Sequence, residues 1–411
     1  MIGKNTSCRL CLSNEIEKIF SFGKTPFANS FLRKDQLGQK EKSVPLKVFE
    51  CKECLSVQLR DTVDPKILFS NYLYSSSESG SLKKYFAQYV EAIKNTIDIS
   101  RDQYVVDIGS NDGILIQEFL NSKIECVGVE PASNLAAKAN KKNLKTYNGF
   151  FNKDLVSDII KDHQKKAKII CCNNCFAHID DLHSILESVC SLMDSKGLFI
   201  FENAYLLDTI NGGYFDQVYH EHIYYHSLTP IKKLLLKYGL EIIKVEKTSN
   251  QGGTIRFYTK FIDSNVKLKI NKKQENLNIE AIAQEEVSFY SNPNRYSALN
   301  KTIKLKKKVL QKTIAEAQKN NKTISAYGCP AKFTTFTKVF GLDGDCINYV
   351  VDDSPTKQGL YAPGNHIPIV SKEYFTQNPT DYCVITAWNF SELIINNNKQ
   401  YKGNWINPFS A

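Results

Sequence analysis

The stretch Gln103-Tyr104-Val105-Val106-Asp107-Ile108-Gly109-Ser110-Asn111-Asp112-Gly113 constrains the fold of this chain more than any other. An apolar run of strand length ends on an acid and breaks at two glycines. Ile114 to Leu120 then reads as a helix, so the pattern is buried strand, tight turn and helix N-terminus. The next apolar run, Cys126-Val127-Gly128-Val129-Glu130-Pro131, also ends on an acid. Strand, glycine turn, helix and acid-tipped strand open a doubly wound α/β sheet, with the acid placed to accept from ribose hydroxyls.

The dinucleotide fingerprint GxGxxG is absent, since Gly109 and Gly113 stand four apart with Asp107 before them. A carboxylate there repels a pyrophosphate but can orient the ammonium of a cationic cofactor such as S-adenosylmethionine. The D-x-G-x-x-x-G turn followed by Glu130 resembles that of the class I methyltransferases. This makes Asp107, Gly109, Asn111, Asp112, Gly113, Glu130 and Pro131 the expected cofactor-binding residues. Lys168 to Asp181 reads as a further strand running into a polar loop, Asn173-Asn174-Cys175-Phe176-Ala177-His178. There Asn174 joins the expected cofactor set, and His178 is a cap, a core histidine or a site residue.

Three of the seven histidines fall in Tyr219-His220-Glu221-His222-Ile223-Tyr224-Tyr225-His226-Ser227. Such a block makes a poor core. It suits a polar surface loop, a metal-binding tract or a catalytic site, because imidazole takes protons near neutrality, phenols hold oxyanions and a carboxylate fixes a tautomer. It follows the strand Gly197 to Asn203, which places it at the carboxyl edge of the sheet, where open α/β proteins bind ligands.

Before the sheet lie Cys8-Arg9-Leu10-Cys11 and Cys51-Lys52-Glu53-Cys54. Two CxxC knuckles bring four thiolates to one zinc ion, which stabilises a segment with little hydrophobic core of its own; all four positions are then filled, so the zinc is structural. The remaining eight of the twelve cysteines sit mostly in apolar surroundings and read as core filler. Tyr72 to Ser79, rich in hydroxyls, is a loop gripping a polyhydroxylated ligand or a linker. Beyond Gln251-Gly252-Gly253-Thr254 and a final strand, helical Lys/Glu-rich patterns lead to Thr323 to Lys332, Ile347 to Pro355 and Asp381 to Asn389, three strand-like runs. These form a second Rossmann-like sheet without GxGxxG, which binds a nucleotide or braces the first; Lys332 and Lys357 are its candidate phosphate contacts. The expected division is 1–75 zinc-binding module, 76–265 cofactor-binding domain, 266–322 helical connector and 323–411 C-terminal Rossmann-like domain.

The net charge of +10 favours anionic partners, but much of it lies in lysine-rich helical stretches such as Lys301 to Lys308, which read as solvated faces. No aromatic-interleaved basic patch points to nucleic acid. No apolar run has the length of a membrane span and Met1 to Cys8 lacks a signal-peptide core, so neither membrane nor export is expected and a cytoplasmic location is.

From Cys8 to Trp388 the chain resembles the nucleotide-sugar C-methyltransferases. The resemblance rests on the four cysteines, Pro26-Phe27-Ala28-Asn29, Tyr74-Ser75-Ser76, Ser110-Asn111-Asp112-Gly113, Asn174 to His178, Phe215-Asp216 with Tyr219-His220-Glu221-His222, Gly252-Gly253-Thr254-Ile255-Arg256, Tyr327 to Lys332, and Lys357-Gln358-Gly359 with Pro363-Gly364. It departs at Gln251, where that family commonly has histidine, and at Cys329, where it has alanine. The resemblance implies a dTDP- or GDP-linked 4-keto-deoxysugar substrate that loses the proton on carbon 3, the enolate then taking the methyl group of S-adenosylmethionine. His222 is the implied base, with Glu221, Tyr219, His178 and Tyr74 around the sugar and Asn29, Ser76, Gly253, Lys332 and Lys357 binding substrate. No obligate protein partner is implied. The rival readings are an O- or N-methyltransferase of a small molecule and a nucleic-acid-binding zinc protein.

Overall fold

The structure, a computed structural model, describes residues 2–70, 72–78 and 80–409, so Ser79 of the hydroxyl-rich stretch lies outside the described residues. Its centre is a seven-stranded sheet in the order Leu240–Thr248, Thr254–Phe261, Met193–Ala204, Ala167–Asn173, Tyr104–Ile108, Glu125–Glu130, Thr146–Asn148. Only Thr254–Phe261 runs against its neighbours. The apolar run at 104–108 shows why the sheet is covered on both faces. Tyr104, Val106 and Ile108 enter one hydrophobic cluster, while Val105 enters another with Leu82, Phe86, Tyr89, Val90 and Ile93 of the helix Gly80–Lys94. Alternate side chains of a strand point to opposite faces, so an unbroken apolar strand needs a layer on each.

A second sheet is antiparallel and four-stranded, in the order Tyr224–Tyr225, Val57–Leu59, Ser43–Cys51, Ile16–Pro26. Its first member comes from the histidine block, with Tyr224 opposite Gln58 and Tyr225 opposite Val57. The second knuckle, which begins at Cys51 on Ser43–Cys51, and the block at 219–227 therefore meet in one sheet. A third sheet holds five parallel strands in the order Ile369–Val370, Tyr349–Val351, Ile324–Tyr327, Tyr382–Ile385, Asn404–Ile406. Its first turn repeats the hydrogen bonding of the central sheet. Asp352 accepts from the N–H groups of Cys329 (2.8 Å) and Ser354 (3.0 Å), as Glu130 accepts from Asn111 and Ala132 (2.8 Å each).

Between these sheets run the helices Lys272–Ser291 and Ser297–Lys319, fastened at both ends of their hinge. Arg295 Nε donates to Glu50 of the N-terminal sheet at 3.2 Å, and the Tyr296 hydroxyl donates to the same carboxylate. Glu286, fully buried, accepts from the N–H groups of Leu228 (2.6 Å) and Thr229 (2.7 Å), the Thr229 hydroxyl (2.6 Å) and the Tyr205 hydroxyl (3.1 Å). It thereby caps the helix Leu228–Leu236, which has no acid of its own in its first turn. Among the described residues no helix is long and apolar enough to cross a membrane.

Truncating Glu286 would strand these donors away from water. Glu286→Ala is expected to cost about 3 kcal/mol in urea unfolding, and Glu286→Gln, which keeps one acceptor oxygen, clearly less.

Candidate active site and metal centre

Each knuckle turns the same way. Leu12 and Leu55, the residues after the second cysteine of each pair, take φ of 66° and 68°, and their N–H groups reach back to the carbonyls of Cys8 and Cys51 at 2.9 Å. The sulfurs of Cys8, Cys11, Cys51 and Cys54 lie within 4.8 Å of one another, with Cys8–Cys54 and Cys11–Cys51 at 3.5 Å. Zinc–sulfur bonds of about 2.3 Å place thiolates about 3.8 Å apart at the corners of a tetrahedron, so the four fit one structural zinc ion.

At the carboxyl edge of the central sheet, Gly109 has φ of +72°, and a Cβ there would sit 2.6 Å from Cys175 Sγ. Glycine thus admits both the turn and the close approach of the next loop. Each Glu130 oxygen accepts one backbone N–H, leaving lone pairs for ribose hydroxyls. The Asp107 carboxyl is buried, makes no hydrogen bond or ion pair among the described residues, and is held well above the usual carboxylate range by burial and then by Glu130. An unpaired buried acid and a free ribose acceptor suit a cationic nucleoside cofactor, so the turn fits S-adenosylmethionine. Asn173 also keeps both side-chain amide atoms unpaired, beside Asn174, whose φ is +50°.

The side chains of Asn111 and Asp112 are turned to another task. Asn111 accepts from the Ser76 N–H (2.9 Å) and donates to the Tyr74 carbonyl (3.1 Å); Asp112 accepts from the Ser75 hydroxyl (2.7 Å), the Ser77 hydroxyl and N–H, and Lys138 (3.1 Å). They hold the segment 74–77 as a strap over the turn, while Gly113 starts the helix Ile114–Asn121 and Pro131 follows Glu130. The Ser75 and Ser77 hydroxyls therefore serve protein contacts, while Ser76 is held through its N–H. Tyr74 is 41% exposed and lies near Tyr72 and Tyr219, and it is the Tyr72 hydroxyl that donates to Glu221.

Asn29, Tyr72, His178, Tyr219, His222 and Lys332 each keep part of their surface accessible, and hydrogen bonds, ring contacts and charge interactions link them with Glu221 into one partly open cluster, the site cleft. His222 Nδ1 is 2.8 Å from the Gln217 carbonyl, which can only accept, so Nδ1 carries the proton. In the neutral ring Nε2 is then an acceptor, and it takes the Tyr219 hydroxyl at 2.7 Å. Burial, with the Lys332 ammonium adding to it, holds His222 down to about 4. Burial and then His222 likewise hold His178 well below the usual imidazole value; the two rings stand 5.1 Å apart. Glu221 accepts from Asn29 Nδ2 (2.6 Å) and the Tyr72 hydroxyl (2.8 Å), and burial pushes its carboxyl up to about 7. The other two histidines of the block are packed away, His220 donating to the Val44 carbonyl and His226 lying against Phe176 and Tyr224.

The C-terminal sheet contributes Lys332, which lies over the Trp388 ring at 3.7 Å and donates to Asn389 Oδ1 at 2.8 Å; burial holds its ammonium down to about 8. Trp388 in turn donates to Asp216 at 2.7 Å, three residues before Tyr219. Lys357 is not brought to the cleft wall: it is buried, donating to Asp352 (3.1 Å) and the Cys329 carbonyl (3.0 Å). Gly253 lies in the turn that enters Thr254–Phe261, against Asp208. Next to it the Gln251 carbonyl accepts from Gln217 Nε2 at 2.7 Å. Sequence reasoning missed Tyr72 and Gln217; the hydroxyl-rich stretch signalled the first, and no pattern signalled the second.

The raised Glu221 carboxyl makes folding depend on pH. A carboxyl lifted in the folded state contributes fully below its unfolded value and loses that contribution as pH rises through about 7. Between pH 5 and pH 8, the unfolding free energy of Glu221→Gln is expected to gain up to about 3 kcal/mol relative to the parent, measured by urea titration at both values.

Three family models match successive parts of the chain: "Putative zinc binding domain" over residues 8–69, "Methyltransferase domain" over 82–245 and "C-methyltransferase C-terminal domain" over 249–409. The C-methyltransferase NovU of Streptomyces niveus is 29% identical over 399 residues, covering 97% of this chain and 93% of NovU. Among solved structures, magnesium protoporphyrin IX methyltransferase from Synechocystis PCC 6803 matches 44% of this chain and 81% of its own, at 16% identity and a TM-score of 0.32. A S-adenosylmethionine-dependent methyltransferase from Clostridium acetobutylicum matches 44% and 92%, at 15% identity and a TM-score of 0.33. With the three domain matches in order, a relative aligned from end to end, a four-thiolate zinc set and a turn fitted to the methyl donor, the chain belongs to the S-adenosylmethionine-dependent C-methyltransferases with a zinc-binding N-terminal domain.

Proposed function

We propose that this C-methyltransferase acts on carbon 3 of a nucleotide-linked 4-keto-deoxysugar, with His222 as the base that drives removal of the carbon-3 proton through the Tyr219 hydroxyl. The observation that carries this reading is the hydrogen-bonded line Tyr219–His222–Gln217, in which a neutral imidazole offers its lone pair to a phenol in the cleft. A carbon acid beside a ketone needs such a base, because removing its proton leaves charge that spreads onto the ketone oxygen.

The Tyr219 hydroxyl already donates to Nε2. As its oxygen takes the carbon-3 proton, its own proton passes to Nε2, and the positive charge rests on a ring anchored by the Gln217 carbonyl. No free phenolate is formed, which matters because burial and the Glu221 charge hold the Tyr219 phenol well above its ordinary value. His178, kept neutral, is the nearby donor for the enolate oxygen, while Glu221, Asn29 and Tyr72 form a polar wall for the sugar hydroxyls. S-adenosylmethionine supplies an electrophilic methyl group. Methyl transfer on this route requires the acceptor carbon to be held beside the donor site and water to be kept from the base. Resemblance of the Tyr-His-Glu-His block to nucleotide-sugar enzymes supports the substrate class, and Lys332 is the proposed contact for its charged end.

Methyl transfer from labelled S-adenosylmethionine to a panel of dTDP- and GDP-linked 4-keto-6-deoxysugars is expected to place the new methyl on carbon 3, located by NMR. A methyl on oxygen or nitrogen would refute the enolate route. His222→Asn should lower kcat by about 2 to 4 orders of magnitude. Because His222 stays neutral until pH falls towards about 4, the acid limb of kcat/KM assigned to it should lie well below the usual imidazole value of about 6.5 and vanish in that variant.

A further inference from the structure

We propose that Arg9, inside the first zinc knuckle, is a positioning residue that sets the spacing of His178 and His222 by tying the metal site to both loops that carry them; this rests on the reading of those two histidines given above. The Arg9 side chain is only 5% exposed. It spends none of its side-chain donors on its own knuckle. Nε donates to Asp180 Oδ1 at 2.6 Å, one terminal nitrogen donates to Gln58 Oε1 at 3.1 Å and the Leu59 carbonyl at 2.5 Å, and the other donates to the Arg60 carbonyl at 3.4 Å. The Arg9 N–H also donates to Gln58 Oε1 at 3.2 Å.

Both arms end at the cleft. Asp180 lies two residues past His178, and its carbonyl accepts the Tyr224 hydroxyl at 2.8 Å. Gln58 and Leu59 hold the other loop: Gln58 pairs with Tyr224, and the Leu59 N–H donates to the Ile223 carbonyl at 2.7 Å, one residue past His222. The Ile223 N–H in turn donates to the Ala177 carbonyl at 2.9 Å, closing the circuit beside His178. A planar guanidinium with a fixed fork of donors can define the angle between two such elements; a lysine ammonium, a single charged point, cannot reach both. Asp180 is half exposed, so its ion pair adds little to overall stability. Its directional hydrogen bond nevertheless fixes where the His178 loop stands.

The test compares Arg9→Lys, Asp180→Ala and the double variant in the full-length, zinc-loaded protein. Metal analysis, calorimetric S-adenosylmethionine binding and the 15N-histidine NMR signals of His178 and His222 need no sugar substrate, so they report on this inference even if the proposed substrate is wrong. Expected are retained zinc, S-adenosylmethionine affinity within about 2-fold, displaced signals for both histidines, and a methyl-transfer kcat lower by about 10- to 100-fold, the scale for misplaced catalytic groups, with KM for the donor unchanged. The double variant should be no worse than the poorer single one. Unmoved histidine signals in Asp180→Ala, which alters no knuckle residue, would overturn the inference, as would losses that multiply in the double variant. Should Arg9→Lys shed zinc, Asp180→Ala alone decides.

Discussion

The pairing of Tyr224–Tyr225 with Val57–Gln58 is the contact on which the rest of the site depends. It is a short antiparallel ladder, yet it makes the histidine block an edge strand of the zinc-stapled sheet instead of a free loop. Backbone pairing fixes register to one residue, and a slip of one would turn every side chain of the strand to the opposite face. The structural metal site and the histidine block therefore belong to one unit, although they come from opposite ends of the first 227 residues. A zinc ion with all four positions filled takes no part in proton transfer, but it stiffens the sheet that carries the Tyr219–His222 pair.

Burial gives the cleft its electrostatic character. A low-dielectric surrounding penalises charge, so imidazoles are held neutral and a carboxyl is held half-neutral near physiological pH. Neutral histidines are proton acceptors in waiting, and a Glu221 carboxyl that already receives two donors is fixed in direction whatever its charge. The neighbouring ammonium of Lys332 works in the same sense on His222. It arrives from the C-terminal sheet through the stacked Trp388 and the bond from that indole to Asp216. Closure of the site thus draws on all three sheets, none of which contains a complete set of groups.

Local pattern was sufficient for the elements near the cofactor. Asp107, Gly109 and Glu130 are where a strand–turn–helix pattern puts them, because strand period and glycine conformation are local properties. The four cysteines were legible for a similar reason, since thiolates at knuckle spacing have few stable alternatives to a shared metal. The side-chain partners within the site were less legible. Asn111 and Asp112 looked like cofactor groups and are held by the strap, and Tyr72, not the more conspicuous Tyr74, donates to Glu221. Hydroxyls two residues apart have the same sequence signature, and which one meets a given partner depends on what the segment packs against.

What the sequence determined by itself was the chemistry available: a doubly wound sheet with a donor turn, a metal staple, and imidazole, phenol and carboxyl groups crowded into nine residues. Tertiary structure alone decided which of those groups work together. His222 is paired with Tyr219 and Gln217 and set beside His178, while His220 and His226 of the same block are packed into the interior. The physical reason is that burial and hydrogen-bond partners set the direction, tautomer and charge of a titratable group, and here those partners come from strands and loops far apart in the chain.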